Sequence, residues 1–247
     1  MSSHLSAPLV ELASAGFRGS GHFAWRFARG KLAGDPVFAT ILARGLLQGC
    51  PRLLDLGCGQ GLLGAWLLAA RAVHAGDAPG AWPRDWPAPP LLERYTGVEI
   101  NPREAARARA IGARFGLAHF RIVQADVRHV DYVEADAIVV LDVLHYMERA
   151  SQESVLAKAR AALAPGGRLL LRVGDAAGGI GFSVSRVVDT AVALVRRRRL
   201  IRLYCRPLRE WLEVLTRAGF RAEVVARYRG PAFSNVVLMG QAADVRT

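Results

Sequence analysis

The spacing of apolar and polar positions changes period repeatedly along the chain, and each change marks a new element. Gly21 to Gly49 carries apolar residues at helical spacing in two blocks; Asp35 as N-cap and Pro36 at the first helical position open the second, and Gly49 lies beyond its end. Arg52 to Leu56 is then a short apolar run that stops in glycines, and a helical pattern follows from about Gly61 to Val73. Tyr95 to Ile100 predicts a second strand. Behind it, Asn101, Pro102 and Glu104 supply an N-cap, a first-turn proline and a capping-box acid for a helix to about Phe115. Phe120 to Gln124, Ala137 to Leu141 and Arg168 to Val173 predict three more strands. Between the last two, a helix over Ser151 to Leu163 is stopped by Pro165, Gly166 and Gly167.

Strands that alternate with helices imply parallel crossovers, so the expected fold class is α/β: a doubly wound sheet with helices on both faces. The tail reads differently. After helices over Ser183 to Arg199 and Pro207 to Ala218, the runs Ala222 to Ala226 and Asn235 to Met239 suggest a closing hairpin. Residues 74–92 carry five prolines and two tryptophans, which no regular element accommodates, and read as an ordered insertion or lid. The expected organisation is a helical cap over residues 1–50 ahead of a sheet domain over 51–247. That domain bears the insertion at 74–92 and a helical addition at 174–219 on its substrate side.

A chain of 247 residues can hold one such core. Its apolar runs end near nine residues, as in Leu62 to Ala70, short of the roughly 20 that span a bilayer. Met1 to Glu11 lacks the charged start and apolar middle of a secretory signal, so export is not indicated. Cys50, Cys58 and Cys205 are odd in number and widely spaced, which supports neither a disulfide framework nor a metal site and suits a reducing cytoplasm. The net charge of +12 raises nucleic acid or an anionic membrane as partners. Nearly all of it is arginine in an alanine-rich chain, and a solvated basic surface explains it as well; the local exception is Arg196 to Arg199, beyond an apolar stretch and followed by Arg202, Arg206 and Arg209.

Leu53 to Gly64 reads LLDLGCGQGLLG, a strand running through glycines into a helix. Ligands of open α/β sheets sit beyond the carboxyl ends of the strands, where glycines admit close backbone approach. Gly59, Gly61 and Gly64 also satisfy the GxGxxG spacing of dinucleotide-binding folds, so glycines alone leave a nicotinamide-dependent oxidoreductase open. Asp55 before the turn adds information. The combined DxGxGxG resembles the first motif of the class I, Rossmann-like S-adenosylmethionine-dependent methyltransferases, and PGGRLLLR resembles that family's turn into strand five.

The resemblance spans Leu53 to Val173 and implies a seven-stranded, mostly parallel sheet with the last strand antiparallel. It also implies S-adenosyl-L-methionine held by Asp55, Gly57, Cys58, Gly59 and Gly61. Glu99, with Ile100, is placed to take the ribose diol after strand two, and Asp126, with Val127, the adenine amino group after strand three. Asp142 and Val143, in LDVLHYM, would line the methyl-transfer cleft. His145 is the candidate general base and Tyr146 a candidate acceptor contact; a histidine or tyrosine there can equally cap or pack the next helix.

FARGKLAGDPVF, LYCRPLREW and PAFSNVVL add a looser likeness to methyltransferases of bacterial aryl-polyene and related pigment or lipid pathways. It points to O-methylation of a phenolic, polyene or lipid-like small molecule, with an acyl carrier protein as a partner where the acceptor is carrier-bound. Phe23, Trp25 and Phe27 interleaved with Arg26, Arg29 and Lys31 suit an aromatic acid or a carrier's phosphopantetheine, and an ordinary amphipathic helix explains them about as well. Nucleic acid is disfavoured as the substrate, because LDVLHY lacks the Asn/Asp-Pro-Pro-aromatic pattern of base amino-methylases. A non-catalytic module that keeps the fold is the remaining alternative.

Overall fold

The structure is a computed structural model and describes residues 7–76, 81–176, 203–230 and 233–242. The expected helix over Ser183 to Arg199, with its arginine run, lies outside the described residues. Seven strands form one sheet: β1 (Arg52–Leu56), β2 (Arg94–Glu99), β3 (His119–Gln124), β4 (Ala135–Leu141), β5 (Leu163–Gly174), β6 (Phe220–Gly230) and β7 (Phe233–Ala242). Their order is β3-β2-β1-β4-β5-β7-β6. β1 pairs parallel with β2 and β2 with β3, whereas β7 runs antiparallel to both β5 and β6. The expected class, with an antiparallel last strand, is the one observed. Among the described residues no helix is long and apolar enough to cross a membrane.

The chain forms two compact units, Met1–Ala137 and Ile138–Thr247. In the first, α1 (Ala7–Ala15), α2 (His22–Gly34) and α3 (Pro36–Ala43) precede β1. The sequence signals had marked α2 and α3 but not α1, which has no acid in its first turn and no basic residue in its last. Its buried Leu9, Val10 and Ala13 form it by docking rather than by capping. α3 begins as expected, with the Asp35 carboxylate accepting from the Val37 amide at 3.1 Å and Pro36 in the first turn.

α4 (Leu62–Ala75) and α5 (Pro102–Phe115) follow β1 and β2. Phe17, Ala28, Ala65 and Ile111 form a buried cluster joining α2, α4 and α5, against which Trp25 and Phe120 pack. The Asn101 side chain caps α5, accepting from the amides of Arg103 and Glu104 at 3.0 and 3.4 Å. The capping box itself does not close. Glu104 pairs with Arg107 at 3.2 Å, and the Asn101 amide donates instead to Glu99 Oε1 at 2.7 Å, because the strand-end carboxylate is the nearer acceptor. In the proline-rich insertion, Trp86 is buried and meets Trp82 edge-on at 5.5 Å.

The second unit holds the single-turn helix Leu144–Tyr146, then α6 (Arg149–Ala162) and α7 (Leu208–Arg217). α6 ends before Pro165-Gly166-Gly167 as expected, with Gly166 in the left-handed region at φ 72°. The part of β5 that pairs with β7 begins at Arg168.

Candidate functional site

β1 runs straight into the glycine turn. Gly57, Gly59 and Gly61 have φ of 77°, 55° and 87°, values an L-residue with a Cβ adopts only with strain. The amides of Gly57 and Cys58 donate to the Val98 carbonyl at 2.8 and 3.0 Å, which ties the turn to the end of β2. A Cβ on Gly61 would lie 3.1 Å from Ala108 of α5, and one on Gly64 would lie 2.9 Å from the Phe120 ring and 3.1 Å from Tyr95. These two glycines therefore serve close packing. A Cβ on Gly59 would meet nothing within 4 Å, so its side of the turn faces open space.

Glu99 is the pivot of this arrangement. Its Oε2 accepts from the Gly59 amide at 3.0 Å while Oε1 accepts from Asn101. A carboxylate has about four lone-pair positions, so two remain. Ile100 beside it is 58% exposed, an apolar surface at the strand end. The Ala125 amide donates to the Glu99 carbonyl at 3.1 Å and brings the following Asp126 to the same edge. Asp126 is held there by Arg128, whose Nη2 stands 2.6 Å from Oδ2, and this cation keeps the carboxyl below its usual range. Val127 is buried, and its carbonyl accepts from the Tyr132 hydroxyl at 2.7 Å.

Asp55 and Cys58 point inward. Asp55 is buried, and burial pushes its carboxyl up to about 7 although the Tyr95 hydroxyl, donating to Oδ2 at 2.5 Å, opposes the shift. Tyr95 stacks on Phe120 with centroids 4.5 Å apart. The Cys58 thiol packs where Gly97 leaves room, 2.7 Å from the position a Cβ would take, and burial raises it well above the ordinary thiol range. Cys58 thus offers its backbone, rather than its sulfur, to anything on the open side. Sequence reasoning missed Tyr95 and Gln60. Gln60 is 3% exposed within the turn and donates to the Ala24 carbonyl of α2 at 3.4 Å.

The candidate acceptor residues lie in the second unit. Asp142 closes β4 with φ 60°, the one non-glycine residue with positive φ among those described. Its carboxylate is gripped by Arg172, which is 3% exposed. Val143 leads into the turn that presents His145, which is buried, and Tyr146, which is 47% exposed; the two rings are 4.2 Å apart. That turn is fastened from behind by Gln152. Its amide donates to the carbonyls of Leu144, Met147 and Tyr204 at 3.0, 3.1 and 2.7 Å. Arg206, 2% exposed, donates to Gln152 Oε1 at 2.7 Å and pairs with Glu153 and Glu210. Neither Arg172 nor Gln152 was singled out from sequence, and Arg206 stood out only as a member of a basic run. Arg172 carried the available signal, since it interrupts a wholly apolar run and a buried arginine requires a partner.

This sheet order, with β1 entering DLGCGQG and β2 ending in an acid bonded to that turn, defines a Rossmann-like S-adenosylmethionine-dependent methyltransferase fold. Residues 54–169, a little under half of the chain, match the methyltransferase-domain family. The chain is 38% identical over 84 residues to a carboxy-S-adenosyl-L-methionine synthase of Chromohalobacter salexigens, covering 34% of this chain and 31% of that one. It spans between about a third and a half of the length of the curated relatives it matches.

Among solved structures it resembles an O-methyltransferase family protein from Burkholderia thailandensis with a TM-score of 0.62 and 17% identity, covering 93% of this chain and 63% of the other. It also resembles the magnesium protoporphyrin IX methyltransferase of Synechocystis with bound SAH, with a TM-score of 0.56, 17% identity, and coverage of 94% and 97%. At these identities the likeness is one of fold. The residues fit the cofactor. Glu99 keeps two acceptor positions for a diol, Ile100 offers an apolar face for a base, and the turn is open at Gly59.

Proposed function

We propose that the chain binds S-adenosyl-L-methionine along Gly57 to Gly61, Glu99, Ile100 and Asp126 and methylates an oxygen of a small phenolic, polyene or lipid-like acceptor, carrier-bound acceptors included. The observation that supports this reading most is the Glu99 carboxylate, bonded to the Gly59 amide at 3.0 Å beside an exposed Ile100. The cofactor supplies an electrophilic methyl group on a sulfonium, so the protein's task is chiefly to align the acceptor oxygen behind it. Gly57 to Gly61 approach the cofactor by backbone alone, and Glu99 orients its ribose. Asp142 and Tyr146 shape the acceptor side. His145 would take the acceptor's proton on an imidazole nitrogen as the oxygen–methyl bond forms and the methyl–sulfur bond breaks, with S-adenosylhomocysteine leaving as the thioether.

Calorimetry with S-adenosylhomocysteine and with NADH tests the cofactor; preference for NADH removes the reading. Incubation with a panel of phenolic and carrier-bound acids, followed by mass spectrometry, then shows an acceptor heavier by one methylene equivalent. The named relatives support a second reading, in which a second substrate donates a carboxyl group to the cofactor, which loses a proton in exchange. The same spectra distinguish it, because the added mass then appears on the cofactor as one carboxyl group.

A further inference from the structure

Glu99 and Asp126 stand at one sheet edge, joined by the bond from the Ala125 amide to the Glu99 carbonyl, and they are pinned by different means. Glu99 is held by two backbone amides, Gly59 on one oxygen and Asn101 on the other. Asp126 is held by Arg128, two positions further along the chain. The Arg128 amide donates to Oδ1 at 2.9 Å, Nε is shared between Oδ1 and Oδ2 at 3.0 and 3.1 Å, and Nη2 donates to Oδ2 at 2.6 Å. The orientation of Asp126 therefore depends on one replaceable side chain, whereas that of Glu99 does not.

The turn does not need this ion pair to close. The Asp126 carbonyl accepts from the amides of His129 and Val130 at 3.0 and 3.1 Å, and the Tyr132 hydroxyl fastens the Val127 carbonyl at 2.7 Å. The Arg128 side chain is 45% exposed, and pairs that water reaches add little to stability. Its larger effect is on geometry, because a guanidinium that bonds both oxygens fixes the plane of the carboxylate. The amide, the shared Nε hydrogen and Nη2 occupy three of about four acceptor positions, and the one that remains belongs to Oδ2. An ionised carboxylate accepts and does not donate, so that position selects a ligand group bearing hydrogen.

We propose that Arg128 is a positioning residue for base recognition: its two-pronged grip aims the open acceptor of Asp126 at an exocyclic amino group, and the site thereby selects a 6-aminopurine. The inference rests on the proposed reading of this edge as a binding site for S-adenosyl-L-methionine and adds the side chain on which base selection depends. Arg128 acts through Asp126 and has no need to touch the base. A purine without the amino group leaves the aimed acceptor unmatched, which is how a polar site rejects a close analogue.

Calorimetry with S-adenosylhomocysteine and with its purine analogue, in which hydrogen replaces the 6-amino group, tests the proposal. The wild type is expected to prefer S-adenosylhomocysteine by roughly 10- to 100-fold, the range for a hydrogen bond to a charged group. Arg128→Met removes the fork and should collapse most of that preference while affinity for the analogue stays near wild type. Arg128→Lys supplies a charge without the fork and should resemble Arg128→Met. In an Asp126→Ala background, Arg128→Met should change the preference no further. Urea midpoints near that of the wild type verify that the fold persists in each variant. A preference that survives Arg128→Met, or that Arg128→Lys restores in full, overturns the grip as its cause. Parallel loss of affinity for both ligands in Arg128→Met overturns it too, because the residue then supports the turn as a whole. A wild type that binds S-adenosylhomocysteine without preferring the amino group overturns the inference alone, whereas one that binds neither ligand removes the cofactor reading with it.

Discussion

Arg172 holds Asp142 in a backbone conformation that residues other than glycine rarely adopt. The Arg172 guanidinium places Nε 2.8 Å from Asp142 Oδ1 and Nη2 on Oδ2, and the Asp142 amide returns a bond to the Arg172 carbonyl at 3.2 Å. Aspartate is among the residues that tolerate φ near 60°, and a two-pronged grip on its carboxylate supplies the over-determination that such strain needs.

The two partners are not equally exposed, so their removal should not cost the same. Asp142→Ala takes a two-pronged carboxylate partner from a buried cation and should cost about 3 kcal/mol in urea unfolding. Arg172→Met leaves a carboxylate that water can reach and should cost less, about 1 kcal/mol. Asp142→Gly removes the strain together with the charge. Its difference from Asp142→Ala, about 1 kcal/mol in favour of glycine, measures the strain directly.

Asp55 gives the protein a pH dependence of unusual sign for a carboxylate. Its folded-state pKa is raised from 3.8 to about 7 by burial, so between those values the folded chain keeps a proton that the unfolded chain has released. Stability should therefore fall as pH rises from about 4 to 7, at up to about 1.4 kcal/mol per unit from this group, and its contribution should be level above that. Asp55→Asn stays neutral and keeps an acceptor for Tyr95. Urea midpoints across this range should decline less in the variant, and parallel profiles for the two proteins would refute the buried ionisation.

Gly59 and Gly64 belong to one motif but should fail in different ways. Gly64→Ala drives a Cβ to within 2.9 Å of the Phe120 ring, held in its stack with Tyr95, and should destabilise the fold by about 1 to 3 kcal/mol. Gly59→Ala meets open space and bears only the left-handed strain, about 1 to 2 kcal/mol, while the new methyl blocks the side from which a cofactor would approach. Thermal unfolding together with S-adenosylhomocysteine calorimetry separates the two. Lost affinity with modest destabilisation is expected of Gly59→Ala alone.

These contrasts show where sequence reading succeeded and where it could not. β1 was legible to the residue because a short apolar run met glycines, and α5 because Asn101 and Pro102 mark its start. The sequence also placed Glu99 at a strand end. It could not show that the carboxylate displaces the Glu104 capping box, since choosing between two acceptors requires the turn's geometry. The inward turn of Asp55 was hidden for a similar reason, because a strand's final acid reads alike whether it meets ligand or tyrosine. Arg206 and Gln152 meet across 54 residues of chain, a separation that no local pattern reports.

Glu99→Gln tests the pivot of the cofactor site more sharply than removal of the side chain. An amide keeps the size, but the Gly59 and Asn101 amides meet different carboxylate oxygens, so one of these donors would face an NH2 group. Affinity for S-adenosylhomocysteine should fall by about 1 to 3 kcal/mol in calorimetry. An unaltered affinity would place the ribose elsewhere.

Gln152 offers the corresponding test for the turn bearing His145. Its amide satisfies carbonyls of Leu144, Met147 and Tyr204, and its oxygen accepts from buried Arg206, so Gln152→Leu keeps the volume while leaving several polar groups unmatched. Each unsatisfied group costs about 1 to 3 kcal/mol, and the unfolding free energy should fall by at least that much. Gln152→Glu keeps the acceptor for Arg206 but withdraws the donors to the turn. It should therefore lower kcat on a methylated acceptor while S-adenosylhomocysteine affinity stays near wild type. A variant that loses cofactor affinity and turnover together would instead show that Gln152 supports the whole fold rather than positioning His145 and Tyr146.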